Sequence, residues 1–340
     1  MISRRMFLKA AGACAAGVLA APLAACSRLD AAVAPALVPG AQPARRAAFL
    51  FDTAIAIEAF CDEDLLDRVM DRLQYFEDIF SRTKAGSDVF AINHADGMPV
   101  TVHEETADVL AKALGYSAAS QGMFDVTIGS VTELWDFKKG ISPDQDALEA
   151  ALPHVDWRTV GIDGLTVTLT DPDAKIDLGA IAKGYATDDI VGMLVRGGCE
   201  SALVNMGGNA FALGSKPSGD PWSIGIQDPN SVRGTVLATI PAANLSAVTS
   251  GINERSFEEN GVLRHHILDP HTGMPFETEL ASATILSGKS VDGDACSTIA
   301  FLLGADLGER FAREHAGASA LFVDRNGRSS ASRGLEVSWA

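Results

Sequence analysis

The 340-residue chain predicts an α+β fold, on three observations. Strand-like segments come in runs with amphipathic helices between the runs, which favours α+β over a doubly wound parallel sheet. Apolar residues recur at steps of two in some stretches and of three and four in others, the periods of strand and helix. Residues 47–340 carry no repeat or low-complexity run, and suffice for one large domain or two intimate ones.

The first 46 residues read differently. Ser3-Arg4-Arg5-Met6-Phe7-Leu8-Lys9 precedes the small, apolar run Ala10–Ala25, the n-region and h-region of a targeting signal. The paired arginines followed by Phe-Leu-Lys match a twin-arginine export signal, a route for folded proteins. Leu23-Ala24-Ala25-Cys26 resembles a bacterial lipobox, so residues 1–25 are expected to be removed and Cys26 acylated. That would anchor the protein to a membrane on its periplasmic side. The run is too short and too rich in Ala and Gly to span a bilayer. Residues 26–46, rich in Ala and Pro, read as a stalk. With 27 basic against 44 acidic residues the net charge is −17, which excludes nucleic acid as a partner. Cys61, Cys199 and Cys296 lack a CxxC spacing, so they read as small core residues, with one disulfide left open by an oxidising compartment.

Along the chain, Ala47–Phe60 alternates and reads as a first strand, with Phe51-Asp52-Thr53 inside it or at a bulge. Asp64–Phe80 sets Leu65, Val69, Leu73, Phe76 and Phe80 at helical steps. A polar loop from Ser81-Arg82 leads to a short helical turn ending at Asn93, which either bonds a ligand edge or caps the turn. His103–Ser120 is a second amphipathic helix. Gln121-Gly122-Met123-Phe124-Asp125-Val126-Thr127 returns the chain, offering a heterocycle a ring and a carboxylate, or else a core Phe beside a capping Asp. Pro143–Leu152 reads as helix, and Val160–Leu169 as a hairpin about Asp163-Gly164.

Ile176-Asp177-Leu178-Gly179-Ala180-Ile181-Ala182-Lys183-Gly184-Tyr185 reads as a strand, turn and helix start. Such a junction presents free N–H groups and a helix N-terminus, a natural seat for phosphate. Lys183 could add a charge-assisted hydrogen bond. Ser201–Asn209 is a buried strand ending in Asn205-Met206-Gly207-Gly208-Asn209, where the Gly pair allows close approach to a flat ligand. Strands follow at Trp222–Gln227, Val236–Ile240 and Ser246–Gly251.

Arg264-His265-His266-Ile267-Leu268-Asp269-Pro270-His271-Thr272-Gly273 is the densest polar cluster. Tandem His point to opposite faces of an extended chain, so His266 is the candidate base, with Asp269 holding the loop or the imidazole. In the helix Ser290–Leu303, Asp294 and Thr298 are four apart and share a face. Two oxygen donors, joined by a backbone carbonyl and substrate phosphate oxygens, suit magnesium. Ala318–Val323 and Gly334–Trp339 are expected to close the sheet.

Phe51-Asp52-Thr53, Ser81-Arg82 to Asn93, Gly122 to Thr127, Asp177 to Tyr185, Asn205 to Asn209, His266 to Gly273 and Asp294-Ala295-Cys296-Ser297-Thr298 together resemble, in order and spacing, the FAD:protein FMN transferase family, the ApbE-like flavin transferases. The resemblance spans residues 47–340. It implies a fold of mixed, mainly antiparallel sheets with packed helices in two closely associated subdomains. It also implies magnesium-dependent transfer of FMN from FAD to a Thr or Ser of an envelope redox protein, with release of AMP. Carried over to this chain, it assigns the Ala180 carbonyl, Asp294 and Thr298 to magnesium. Phe51, Asn93, Met123, Phe124, Asp125, Asp177, Lys183, Asn205, Gly207 and Gly208 fall to FAD, and His266 to deprotonation of the acceptor hydroxyl. Asp52 and His271 depart from the common Gly and Arg of their blocks. The rival expectations are an FAD pyrophosphatase, with water as acceptor, and a lipoprotein that only carries flavin.

Overall fold

The computed structural model describes residues 42–340, so the export signal, Cys26 and most of the stalk lie outside the described residues. The first element is a hairpin. β1 (Ala44–Leu50) pairs antiparallel with β2 (Thr53–Ala59), and Phe51 and Asp52 are the turn between them. Both turn residues have positive φ, 51° and 59°, as a two-residue turn matched to strand twist requires. The single strand expected over Ala47–Phe60 is thus two strands. The expected stalk also ends early, since Arg46 already pairs with Asp67 at 2.6 Å.

The chain continues through α1 (Glu63–Phe80), α2 (Asp88–Asn93), β3 (Val100–Thr101) and α3 (Glu104–Ala119). Next come the short α4 (Gly129–Thr132), α5 (Gln145–Ala151), and the hairpin β4 (Val160–Asp163) and β5 (Thr166–Leu169). β3 joins that hairpin in a small sheet. Residues 176–178 are extended but are not a named strand. The side-chain amide of Asn93 takes both backbone groups of Ile176, donating to its carbonyl at 2.9 Å and accepting from its N–H at 2.7 Å. Ile176 has nothing left for a strand partner, so pairing with the 126–128 segment stops at the Lys175–Ile128 bridge and the bond from Asp177 N to Val126 O.

After α6 (Ala182–Arg196) come β6 (Ala202–Met206), β7 (Asn209–Leu213), β8 (Trp222–Gln227), β9 (Val236–Ala242) and β10 (Leu245–Gly251). The hairpin β11 (Ser256–Glu259) and β12 (Val262–His265) precedes β13 (Leu280–Ser287). α7 (Ser290–Leu303), α8 (Ala305–Ala316), β14 (Ser319–Asp324), β15 (Ser329–Ala331) and β16 (Ser338–Trp339) complete the chain.

One eight-stranded antiparallel sheet, ordered β1-β2-β6-β7-β10-β13-β14-β15, organises the molecule. Its two faces carry different cores. Val204, Met206, Ala283, Ile285 and Phe322 face the helices, whereas Ala212, Leu286, Leu321 and Val323 pack with Trp222, Ile224 and Ile240 of the sheet β16-β9-β8. β13 is therefore buried at every position, Ser282 and Thr284 included. β16 pairs with β9 rather than closing the large sheet, a correction to the expectation for Gly334–Trp339. The two expected subdomains are joined in one compact unit over the described residues. No helix among the described residues is long and apolar enough to cross a membrane.

Candidate active site at one end of the large sheet

The β2–β6 and β7–β10 registers bring the Phe51–Asp52 turn, the Gly207–Gly208 turn and the segment after Gly251 to the same sheet end. Gly207 and Gly208 have φ of 59° and 90°. A Cβ on Gly207 would lie 1.9 Å from Thr53 Oγ1, so only glycine fits that turn.

α6 and α7 arrive beside this end and cap one another. Asp294 Oδ2 of α7 accepts from Gly184 N at 2.8 Å, while Asp188 of α6 accepts from Ser290 N and Val291 N at 2.7 and 3.0 Å. Each carboxylate sits at the positive end of the other helix, where negative charge is favoured. The approach needs Gly184, because a Cβ there would meet Ser290 O at 2.4 Å. Lys183 Nζ donates to Gly179 O at 3.1 Å and lies 3.7 Å from Asp294 Oδ1. Thr298 Oγ1 is 3.2 Å from Ser250 Oγ. The segment carrying Ala180 and the α7 face carrying Asp294 and Thr298 are thus brought together across more than a hundred residues of chain.

Asp177 accepts from Gly179 N at 2.8 Å and lies 3.3 Å from Arg82 Nε. Phe124 is buried. Asp125 is turned inward, accepting from Thr127 N at 2.8 Å and Trp157 N at 3.0 Å, and burial raises its pKa. Met123 is half-buried against the main core. Phe51 N donates to the Glu77 carboxylate at 2.5 Å. Asn93 is spent on Ile176, as described, and Asn205 is exposed on β6.

His266 follows β12. Its Nδ1 is 3.3 Å from Arg255 O; a carbonyl only accepts, so Nδ1 carries the proton and Nε2 keeps its lone pair. Desolvation first, then the charge of Arg255 and the neighbouring His265, push its pKa down to about 3, so the free ring is neutral. Asp269 does not reach the ring. Its carboxylate accepts from His271 N at 2.8 Å and its carbonyl from Gly273 N at 2.7 Å, which closes the loop. That loop docks on α4 and α5 through Leu268, Trp135 and Leu148, and Trp135 Nε1 donates to Gly273 O at 3.1 Å.

Sequence reasoning passed over Glu254 and Arg255. Arg255 lies 3.8 Å from Asp52, which also binds Lys138 at 2.6 Å. Glu254 is exposed beside Lys183 and Arg255, and desolvation raises its pKa while their charges lower it. A Cβ on Gly208 would meet Glu254 Oε1 at 2.7 Å. The signal was present as adjacent opposite charges at the turn that follows Ser246–Gly251.

Residues 51–322 match the ApbE family. This chain belongs to the ApbE family. An FAD:protein FMN transferase of Treponema pallidum is 37% identical over 289 residues, covering 79% of this chain and 80% of the relative. One from Klebsiella pneumoniae is 36% identical over 270 residues, covering 78% and 84%. The crystal structure of the ApbE protein of Thermotoga maritima superposes with a TM-score of 0.78 at 30% identity, covering 86% of this chain and 97% of that one. The apo flavinyl transferase ApbE of Pseudomonas stutzeri gives 0.74 at 26% identity, covering 86% and 95%.

Proposed function

We propose that this chain transfers the FMN half of FAD to a Thr or Ser hydroxyl of a redox protein of the cell envelope, releasing AMP. What supports this reading, in an ApbE-family chain, is that Lys183, 3.7 Å from the Asp294 carboxylate, also acts on the neutral His266 ring. His266 Nε2 takes the acceptor hydroxyl's proton. The oxygen then attacks the phosphorus on the FMN side, and the pyrophosphate bond to AMP breaks. Lys183 and Arg82 bring positive charge to the phosphates, and the Gly207–Gly208 turn leaves room for a flat ring.

Magnesium suits the donors that would hold it: the Ala180 carbonyl, the Asp294 carboxylate and the Thr298 hydroxyl are hard oxygens. Oδ2 of Asp294 is engaged by Gly184 N, while Oδ1 faces the Lys183 ammonium at 3.7 Å, so that oxygen is the one turned toward positive charge. When bound, magnesium neutralises charge on the pyrophosphate. Export through the twin-arginine route and lipid anchoring at Cys26 complete the proposal, and both rest on the N-terminal sequence. Cys26→Ala should release the protein from the membrane fraction, and an unchanged distribution refutes the anchor.

One assay tests the activity. The chain is incubated with FAD, magnesium and candidate envelope redox domains, and the products are run on a denaturing gel under ultraviolet light. A fluorescent acceptor band is expected. FMN and AMP without a band would mean that water is the acceptor, and unchanged FAD would overturn both enzyme readings.

A further inference from the structure

We propose that Cys61 and Cys199 form a disulfide when the chain occupies an oxidising compartment. The proposal takes only its setting from the export reading. Three observations place the two thiols together. The β2–β6 register pairs Ala59 with Ala202, and Phe60 N donates to Ser201 O at 2.8 Å. One step further along the same ladder sets Cys61 across from Glu200, beside Cys199. Cys199 Sγ lies 3.9 Å from Phe60 O and 3.4 Å from Ser201 O, so it points toward the strand end that carries Cys61. Each thiol is also the largest influence on the other's proton affinity, raising that of Cys61 and lowering that of Cys199. Cys296 is fully buried on α7, where Tyr116 is its thiol neighbour.

The pair has the asymmetry that exchange chemistry needs. Cys61 is half-buried and within reach of an oxidant, while Cys199 is buried behind it and placed to resolve a mixed disulfide on Cys61. A protein disulfide of the oxidising machinery is attacked by Cys61, giving a mixed disulfide and one free thiol on the oxidant. Cys199 then attacks the Cys61 sulfur and expels the oxidant's second thiol. The pair loses two protons and two electrons, and the oxidant's disulfide becomes two thiols.

The bond would join the start of α1 to the segment between α6 and β6, at the end of α6 away from Lys183. The loop it closes contains Asn93, Asp125, Asp177 and Lys183, so it restricts the unfolded chain without altering the flavin side. Stability should rise and transfer activity should not change.

The test treats the whole folded, reduced chain with oxidised glutathione, blocks remaining thiols, and maps peptides after denaturation. One peptide pair joining Cys61 to Cys199 is expected, with the intact chain lighter by two hydrogens and a higher thermal midpoint. Cys296→Ser should keep the link, and Cys61→Ser and Cys199→Ser should each lose both the link and the gain in midpoint. A lasting glutathione adduct on Cys61, a link to any other cysteine, or three unmodified thiols overturns the proposal. If the link forms with glutathione while chain recovered from cells keeps both thiols, the pairing stands and the export reading falls.

Discussion

At His266 the backbone selects the chemistry. The Arg255 carbonyl holds the proton on Nδ1, so replacing the ring removes a base without removing a charge. His266→Ala should lower transfer by about 10² to 10⁴, with FAD affinity by fluorescence titration close to that of the parent; an equal loss of both would assign the ring to binding. Asn93 illustrates the reverse relation between sequence and structure. Its type and place suggest a ligand contact, yet both ends of its amide are used on Ile176. Asn93→Ala leaves two buried backbone groups unpaired and should cost about 1–3 kcal/mol each at most, read as a lower urea midpoint. Its effect on FAD affinity should come only through the shifted 176–180 segment, so stabilising the variant with saturating FAD should recover most of the turnover.

The reciprocal caps of α6 and α7 are invisible in sequence, because each joins residues about a hundred positions apart. What sequence does reveal is each helix alone, including the shared face of Asp294 and Thr298. Gly184 reads as one more small residue in a helix start; its meaning appears only when Ser290 O is found 2.4 Å from where its Cβ would be. Gly184→Ala would gain helix propensity in isolation. In the fold it forces α6 and α7 apart, and should destabilise by about 1–3 kcal/mol, as overpacking does. It should also raise the magnesium concentration needed for half-maximal transfer, since Asp294 moves with α7. A stable variant with unchanged magnesium dependence would show that the two helices are free to slide.

Over the whole molecule, the alternation of strands and the amphipathic helices were legible because one face of most elements is solvated. β13 was not, since burial on both faces leaves it no solvated side to mark it, and the strand expected at 176–178 gives way to the Asn93 amide that takes up Ile176. Burial also makes stability depend on pH. His265 is 1% exposed, its Nδ1 has no hydrogen-bond partner, and its ring meets Phe301 edge-on. Desolvation first, then the charge of Arg325, push its pKa down to about 4 from its ordinary 6.5. The unfolded chain therefore takes up a proton that the folded chain refuses. Stability from this site is complete above pH 6.5 and is lost as pH falls through 4, an amount of about 3 kcal/mol. Asp188, raised by burial to about 6, works in the opposite sense, losing stability as pH rises through that value. His266 works in the same sense as His265. Both remain in a His265→Leu variant, so they cancel in its comparison with the parent. That difference, measured by urea unfolding from pH 7 to pH 4, should grow in favour of the variant as pH falls. Parallel curves for the two proteins would mean that the folded state accommodates the His265 proton, by admitting water or by moving β12.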